Sequence, residues 1–250
     1  MKSMLDWRHI VALELKAHIA GILCVSTATC LIIHIAGLHH AEYSMREQLL
    51  WALGGFEPYE GIPSLSLVQL SRWLLVIAPP LCLIEIAIDA HRRRIVPIML
   101  RIRSYNLLWW RLCAIIIAIS ALYVAIMIGG MTVGYILTHG NPEMALEWRL
   151  GTSLFAVLGS HIAWLGFVAL LFESLINNRG IAMSIILLAE GGTAALSQIM
   201  TTGAWLPGAW GMLNSFSFEG NSVRDIAALS LQFVMIIAIS ASTRLARHFN

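Results

Sequence analysis

The chain has 250 residues, of which 58% are apolar and 12% are charged, and its formal net charge is +2. A soluble protein has about twice that share of charged residues, so the composition excludes an ordinary soluble domain. It also excludes a disordered chain and a disulfide scaffold, and the small net charge gives no reason to expect a nucleic-acid partner. We therefore expect an all-α, polytopic membrane protein embedded in a lipid bilayer.

Six apolar segments are long enough to cross a bilayer, which takes about 20 residues per helix. An amphipathic segment at 1–17 precedes them, with Met4, Trp7 and Val11 at helical spacing, and we expect it to lie in the membrane interface. The predicted spans are 18–38, 70–89, 112–137, 152–172, 181–200 and 225–243. Little remains for a soluble domain, so we expect a single transmembrane domain over 1–250.

The positions of lysine and arginine predict the orientation of these spans. With the N-terminus inside, 12 of the 16 Lys and Arg residues fall on the cytoplasmic side and 4 on the other, which agrees with the positive-inside rule. Tryptophans near span ends, among them Trp51, Trp73 and Trp210, fit an aromatic belt at the outer interface. We therefore expect a multi-pass plasma-membrane protein with both termini in the cytoplasm.

A basic segment at 91–104, between the second and third spans, is the strongest local signal. Its apolar residues at helical spacing are surrounded by arginines. The residues that define it are Arg92, Arg93, Arg94, Ile98, Met99, Arg101 and Arg103. Such a helix is suited to docking against another protein at the inner surface, and it is equally suited to anchoring by anionic lipid headgroups.

This order of segments resembles the permease subunits of type-2 ABC exporters. The stretch from Arg103 to Asn106, which runs into Trp109-Trp110-Arg111, looks like the start of span three in small permeases linked to bacteriocin or peptide export or immunity. Residues 206–212, LPGAWGM, look like the loop helices before that family's last span. The resemblance implies an interfacial elbow helix at 1–17, six spans, and a coupling helix at 91–104 that fits a groove on a separate ATPase subunit.

The resemblance also implies the partners and cofactors of the chain. It predicts a transport subunit rather than an enzyme, a dimer with a second copy or a sister permease, and ATP and Mg²⁺ bound by the partner ATPase instead of by this chain. The sequence contains no GxxxxGK[ST] motif, so it cannot hydrolyse ATP through a P-loop. Apolar walls and acidic outer loops suit an amphipathic or cationic peptide, or another hydrophobic compound, as the substrate.

Three ionisable residues within the spans are candidates for a substrate path or gate: Glu85, His161 and Glu190. A charge in hydrocarbon costs roughly 3 kcal/mol, so each should face protein or water. Glu85 lies in the inner half of span two, where the resembled family often has a Glu, and it could pair with Arg92 or Arg93 or reach the headgroups. His161 and Glu190 lie near the centres of adjacent antiparallel spans, so we predict that they can form a hydrogen bond, in either a structural or a substrate-linked role.

Small residues and prolines give further expectations. Gly130 and Gly134 form a GxxxG motif that predicts close helix packing. Pro79 and Pro80 should kink the second span. The four cysteines fall in apolar runs without metal-ligand spacing, so we expect small buried apolar side chains and no metal site.

Two other functions remain open from the sequence. An intramembrane enzyme would use Glu190, His161 and Glu85, although no HExxH or GxSxG motif occurs and no catalytic residue can be assigned. A non-transporting immunity or assembly protein would need none of these side chains for chemistry. An ABC ATPase encoded beside this chain would favour the transporter.

Overall fold

The computed structural model describes residues 2–37, 44–55, 66–93, 105–139, 148–176, 178–199, 206–212, 232 and 235–236. These residues are helical with short turns and contain no β-strand. The helices are α1 (Lys2–Gly37), α2 (Met45–Leu53), α3 (Leu67–Arg93), α4 (Tyr105–His139), α5 (Trp148–Ile176) and α6 (Arg179–Ile199). A 3-10 turn, Pro207–Ala209, follows α6.

Five of these helices are long and apolar enough to cross a membrane. Their apolar stretches are Lys16–Gly37, Leu67–His91, Trp109–His139, Leu150–Glu173 and Arg179–Ile199. They confirm an all-α, multi-pass membrane protein, and their ends agree with the first five predicted spans to within three residues. Most of the sixth predicted span, 225–243, lies outside the described residues.

The predicted interfacial helix at 1–17 is not separated from the first span. Residues Lys2–Gly37 form one continuous helix of 36 residues, which is about 54 Å long at 1.5 Å per residue. The composition explains the continuity, because this stretch contains no proline and Gly21 is its one glycine before the last residue. Nothing therefore ends the helix where the amphipathic pattern gives way to the apolar one.

The predicted coupling helix at 91–104 overlaps the end of α3. Residues 91–93 continue the second long helix, and α4 begins at Tyr105. The backbone of Arg92 and Arg93 therefore belongs to α3. The other residues assigned to coupling, Arg94, Ile98, Met99, Arg101 and Arg103, lie outside the described residues.

The GxxxG motif of α4 packs closely against α1, as predicted. A Cβ at Gly130 would lie 2.9 Å from the sulfur of Cys30, and one at Gly134 would lie 3.1 Å from the ring of His34. Gly129, on another side of α4, faces open space. Because the contacting residues are four apart on both helices, one face of each meets the other over a full turn.

Two expectations about exposure were wrong. Cys24 and Cys82 are exposed on the apolar surface of the bundle, while the other two cysteines are buried. Trp51, Trp73 and Trp210 do not form a lipid-facing belt, because each is at most 8% exposed. Packing between helices, which a single-sequence hydropathy pattern does not specify, buries these indoles inside the protein.

α3 continues through Pro79 and Pro80 without ending. Proline has no N–H, so Pro80 cannot donate a hydrogen bond to the carbonyl of Val76, four residues earlier. The fully buried hydroxyl of Tyr123, on α4, donates to this carbonyl over 3.1 Å. The interruption in the hydrogen bonding of α3 is thus filled by its neighbour.

The short helix α2 begins with a capping box. The Glu47 carboxylate accepts a hydrogen bond from the backbone N–H of Ser44 (2.7 Å), and the Glu47 N–H donates to the Ser44 hydroxyl (3.3 Å). The Ser44 hydroxyl also donates to this carboxylate, over 2.8 Å, and the bonds from the Ser44 N–H, first, and from its hydroxyl lower the pKa of Glu47 below its ordinary value. Most of the following residues are buried against the long helices, so α2 packs onto the bundle instead of hanging free.

The end of α2 meets the segment 206–212. Gly55 has a φ of +90°, which favours glycine, and any Cβ there would overlap Met212. Arg72 of α3 donates to the Gly55 carbonyl over 3.0 Å, and its guanidinium lies 4.4 Å from the centroid of the Trp51 ring. We call α2 and residues 206–212 together the cap, since they cover the same end of the bundle.

Candidate functional site

The predicted contact between His161 and Glu190 is present. His161 Nε2, on α5, lies 2.9 Å from Glu190 Oε1, on α6. The two residues are 0% and 2% exposed, so both side chains are shielded from solvent. α5 ends at Ile176 and α6 begins at Arg179, so the two helices follow each other in the chain, and the hydrogen bond joins them near the middle of both spans.

Trp73, on α3, is the third member of this cluster. Its indole N–H donates to the same Glu190 oxygen over 3.0 Å, and its ring centroid lies 6.1 Å from that of His161. An indole can only donate, so Glu190 Oε1 is an acceptor in this bond. One carboxyl oxygen therefore joins α3, α5 and α6.

Each protonation state of the pair leaves one group uncompensated. Nδ1 of His161 is buried and has no hydrogen-bond partner among the described residues. If His161 is an imidazolium, or if Glu190 is protonated and donates to Nε2, Nδ1 carries a proton without an acceptor. If His161 is neutral and donates from Nε2, Glu190 remains a buried anion. In every one of these states Nδ1 of His161 lacks a partner among the described residues.

The segment 206–212 lies directly against this cluster. A Cβ at Gly211 would overlap the ring of His161, and one at Gly208 would overlap the backbone of Ala194. The N–H of Gly208 donates to the hydroxyl of Thr193 over 3.0 Å. Glycine is required at both positions for the segment to approach α5 and α6 this closely, and the cap thereby reaches the buried pair.

Two more aromatic rings extend the cluster from His161. The Trp164 ring centroid lies 5.6 Å from that of His161 and 5.4 Å from that of Trp210. The buried Nε1 of Trp164 has no hydrogen-bond partner among the described residues. Burying an N–H without an acceptor costs about 1–3 kcal/mol of stability. Trp164 therefore places an unsatisfied donor close to His161.

The hydroxyl next to His161 is held elsewhere. Ser160 Oγ lies 2.8 Å from Gln232 Oε1 and 3.0 Å from the carbonyl of Val157, and Gln232 Nε2 donates to the Trp210 carbonyl over 3.1 Å. The single hydroxyl proton of Ser160 is therefore donated to one of these two oxygens and not to His161. Ser160 and His161 do not have the geometry of a nucleophile and its base.

Glu85 lies apart from the pair, in a charged cluster at the other end of α3. It lines a cavity of about 10 Å³ with Glu173 and Arg179, which is about the space of one water. Arg179 pairs with Asp89 and, over 2.8 Å, with Glu173, while Arg93 pairs with Asp89 over 2.7 Å. Arg93, one of the two arginines with which Glu85 could pair, is bound to Asp89 instead, because Asp89 is one helical turn from Arg93 and Glu85 is two.

Of the three predicted site residues, the structure thus joins His161 and Glu190 and separates Glu85 from them. Sequence analysis missed Trp73, because a tryptophan near a span end is typical of the membrane interface. It also missed Arg179, whose role depends on three helices meeting. Comparison of the chain with known protein families, curated proteins and solved structures found no match.

Proposed function

We propose that this chain is the membrane-spanning permease subunit of an ATP-driven ABC exporter. It lies in the plasma membrane with both termini in the cytoplasm and forms a dimer with a second copy or a sister permease. A separate ATPase binds and hydrolyses ATP with Mg²⁺, and the pair of permeases moves an amphipathic peptide or another hydrophobic compound. The observation that supports this best is the basic connection 94–104 between the second and third spans, at the place of the coupling helix in the family that the chain resembles.

Ion pairs connect the start of this basic connection to the rest of the bundle. Arg93, the last residue of α3, pairs with Asp89, and Asp89 also pairs with Arg179 at the start of α6. Glu190 lies eleven residues further along α6, about 16 Å at 1.5 Å per residue. A force applied to the connection by an ATPase would act on α3 and α6 together.

The buried cluster is suited to a gate or to a substrate path. Trp73 and Glu190 sit on α3 and α6, and their bond can persist only while these helices keep their register. We assign His161 and Glu190 to the gate, and Glu85 to the charged cluster that transmits movement from the connection. We favour a gate over the active site of an intramembrane enzyme. Among the described residues, the hydrogen-bond partner of His161 is the Glu190 carboxyl group, and no hydroxyl or thiol that could act as a nucleophile bonds to His161.

Charge reversal in the basic connection tests the proposal. The double variant Arg101→Glu with Arg103→Glu should reduce co-purification of an ABC ATPase encoded beside this chain, because the proposed docking surface would reverse its charge. Membrane insertion should be unchanged, since both residues lie outside the spans. Co-purification after solubilisation and ATPase turnover of the complex measure the effect.

The matched control reverses two arginines on the predicted outer side, Arg149 and Arg224. That variant has the same change in charge and should keep the ATPase bound. If the Arg101 and Arg103 variant binds the ATPase as tightly as the control and stimulates the same turnover, residues 91–104 are not a coupling helix.

A further inference from the structure

A cavity of about 140 Å³ lies between α5 and α6. Trp164, Val168 and Phe172 form its α5 wall, and Ile185 and Ala189 contribute to its α6 wall. Glu190 and Thr193 lie at one end, and Pro207 of the cap also contributes to the lining, but nearly all of the lining is hydrocarbon and aromatic carbon. We call this cavity the α5–α6 slot.

The slot is long and runs parallel to the helices. Its lining covers residues 164–172 of α5 and 185–193 of α6, about 12 Å along each axis. A cavity of 140 Å³ spread over this length is narrow. Because both helices cross the membrane, the slot has the direction of lipid acyl chains, whereas a side chain from a partner helix would enter across it.

The slot reaches the surface of the bundle at hydrocarbon depth. Ile185 is 37% exposed and Ala189 is also exposed, and both lie within the apolar stretch Arg179–Ile199. An apolar cavity of about 150 Å³ stays dry and takes up apolar molecules. Water is therefore a poor occupant of the slot, and the hydrocarbon beside it is available to fill it.

The two ends of the slot lie at different depths. Phe172 and Ile185 are near residues 177–178, which join α5 to α6 at one membrane surface, while Trp164 and Glu190 lie near the middle of the spans. A chain that follows the slot from that surface therefore ends beside Trp164. We propose that the α5–α6 slot binds one acyl chain of a bilayer lipid from this leaflet, with its methyl end next to Trp164. The proposal does not depend on the ABC assignment.

Quenching of tryptophan fluorescence by brominated lipids tests the site. The full chain would be placed in phosphatidylcholine vesicles whose acyl chains carry bromine either near the methyl end or near the headgroup. The emission of Trp164 is the difference between the wild type and Trp164→Phe. Although Trp164 is 7% exposed, we expect bromine near the methyl end to quench this component, and to quench it more than bromine near the headgroup.

Two variants of α6 control for the position of the chain. Ala189→Phe places a ring in the slot and should lose most of the Trp164 quenching, whereas Leu188→Phe, at a neighbouring residue that is 76% exposed and outside the lining, should keep it. Ala189→Leu serves if the phenylalanine prevents folding. Absence of quenching in the wild type, equal quenching in the Ala189 and Leu188 variants, or stronger quenching by bromine near the headgroup would each overturn the proposal.

Discussion

Trp73 and His161 both lie within 3.0 Å of one oxygen of Glu190, inside a membrane-spanning bundle. In such a place the alternative partner, water, is absent, so loss of the carboxyl group leaves both neighbours unsatisfied. Each orphaned polar group costs about 1–3 kcal/mol. The energetic role of Glu190 is therefore that of a shared acceptor, whether or not it also acts as the proposed gate.

Substitution at position 190 should separate these contributions. Glu190→Gln should keep the fold, because an amide oxygen still accepts from Trp73. Glu190→Leu should lower the free energy of unfolding by about 1–3 kcal/mol or more, since two side chains lose their partner. Adding His161→Leu should recover part of the loss, and adding Trp73→Phe as well should recover more. Thermal unfolding of the purified variants in detergent measures each step.

The same variants distinguish a structural pair from a working one. If the triple variant folds and still exports, the cluster is a packing element and its assignment to a gate is wrong. If it folds and export is lost, the cluster contacts the substrate or moves with the gate. Strict additivity of the Glu190 and His161 effects would show that the two side chains do not interact.

The sequence predicts part of this cluster and not the rest. Equal depth on two adjacent antiparallel spans is enough to bring His161 and Glu190 together, because the short connection at 177–178 fixes their register. Trp73 belongs to a helix that is not adjacent in the chain, so its contact depends on how α3 packs between the others. The hydropathy pattern shows where a span lies in the sequence but not which other spans it packs against.

At the scale of the helices, the apolar runs determine where the spans lie, while their terminations depend on local chemistry. The spans found at 109–139 and 150–173 extend the predicted ones by only one to three residues at either end, because long apolar helices leave little choice of position. The expected break after residue 17 is absent, since no proline or paired glycines end α1 there. An amphipathic pattern alone does not stop a helix.

Contact between α1 and α4 gives a test at this scale. Gly130→Ala places a methyl group 2.9 Å from the Cys30 sulfur and should lower the free energy of unfolding by about 1–3 kcal/mol through overpacking. Gly129→Ala meets nothing and should raise it by up to about 1 kcal/mol, because alanine favours helix more than glycine does. Denaturation curves of both variants provide the comparison.

Removing the sulfur should relieve the strain that the methyl group introduces. In a Cys30→Ala background, Gly130→Ala should cost less than in the wild type, while Gly129→Ala should have the same effect in both. An equal cost of Gly130→Ala in the two backgrounds would mean that the helices do not meet at these residues.

For the whole molecule, the number of spans decides which connections share a side of the membrane. Ser44 follows the first span and Asn178 follows the fourth, so three spans separate them and they must face opposite sides. The five spans that the structure describes therefore fix relative topology without the sixth. The absolute orientation rests on the charge distribution.

Cysteine labelling measures this topology. In a version of the chain without its native cysteines, Ser44→Cys and Asn214→Cys should react with an impermeant maleimide from outside the cell, and Asn178→Cys should react after permeabilisation alone. Labelling of Asn178→Cys in intact cells together with Ser44→Cys would contradict the span count. Labelling of Asn178→Cys but not of Ser44→Cys in intact cells would instead show that the protein has the opposite orientation. The basic connection would then lie outside the cell, where an ATPase could not bind it.

The hydroxyl of Tyr123 has a consequence for how this chain can vary. It supplies the partner that Pro80 denies to the Val76 carbonyl, so the two positions depend on each other although 43 residues separate them. Restoring an N–H at residue 80 would make the hydroxyl redundant, and phenylalanine would then serve at residue 123. Losing the hydroxyl first would strand a carbonyl in the bundle. Substitution along a lineage is therefore easier in one order, with the proline replaced before the tyrosine.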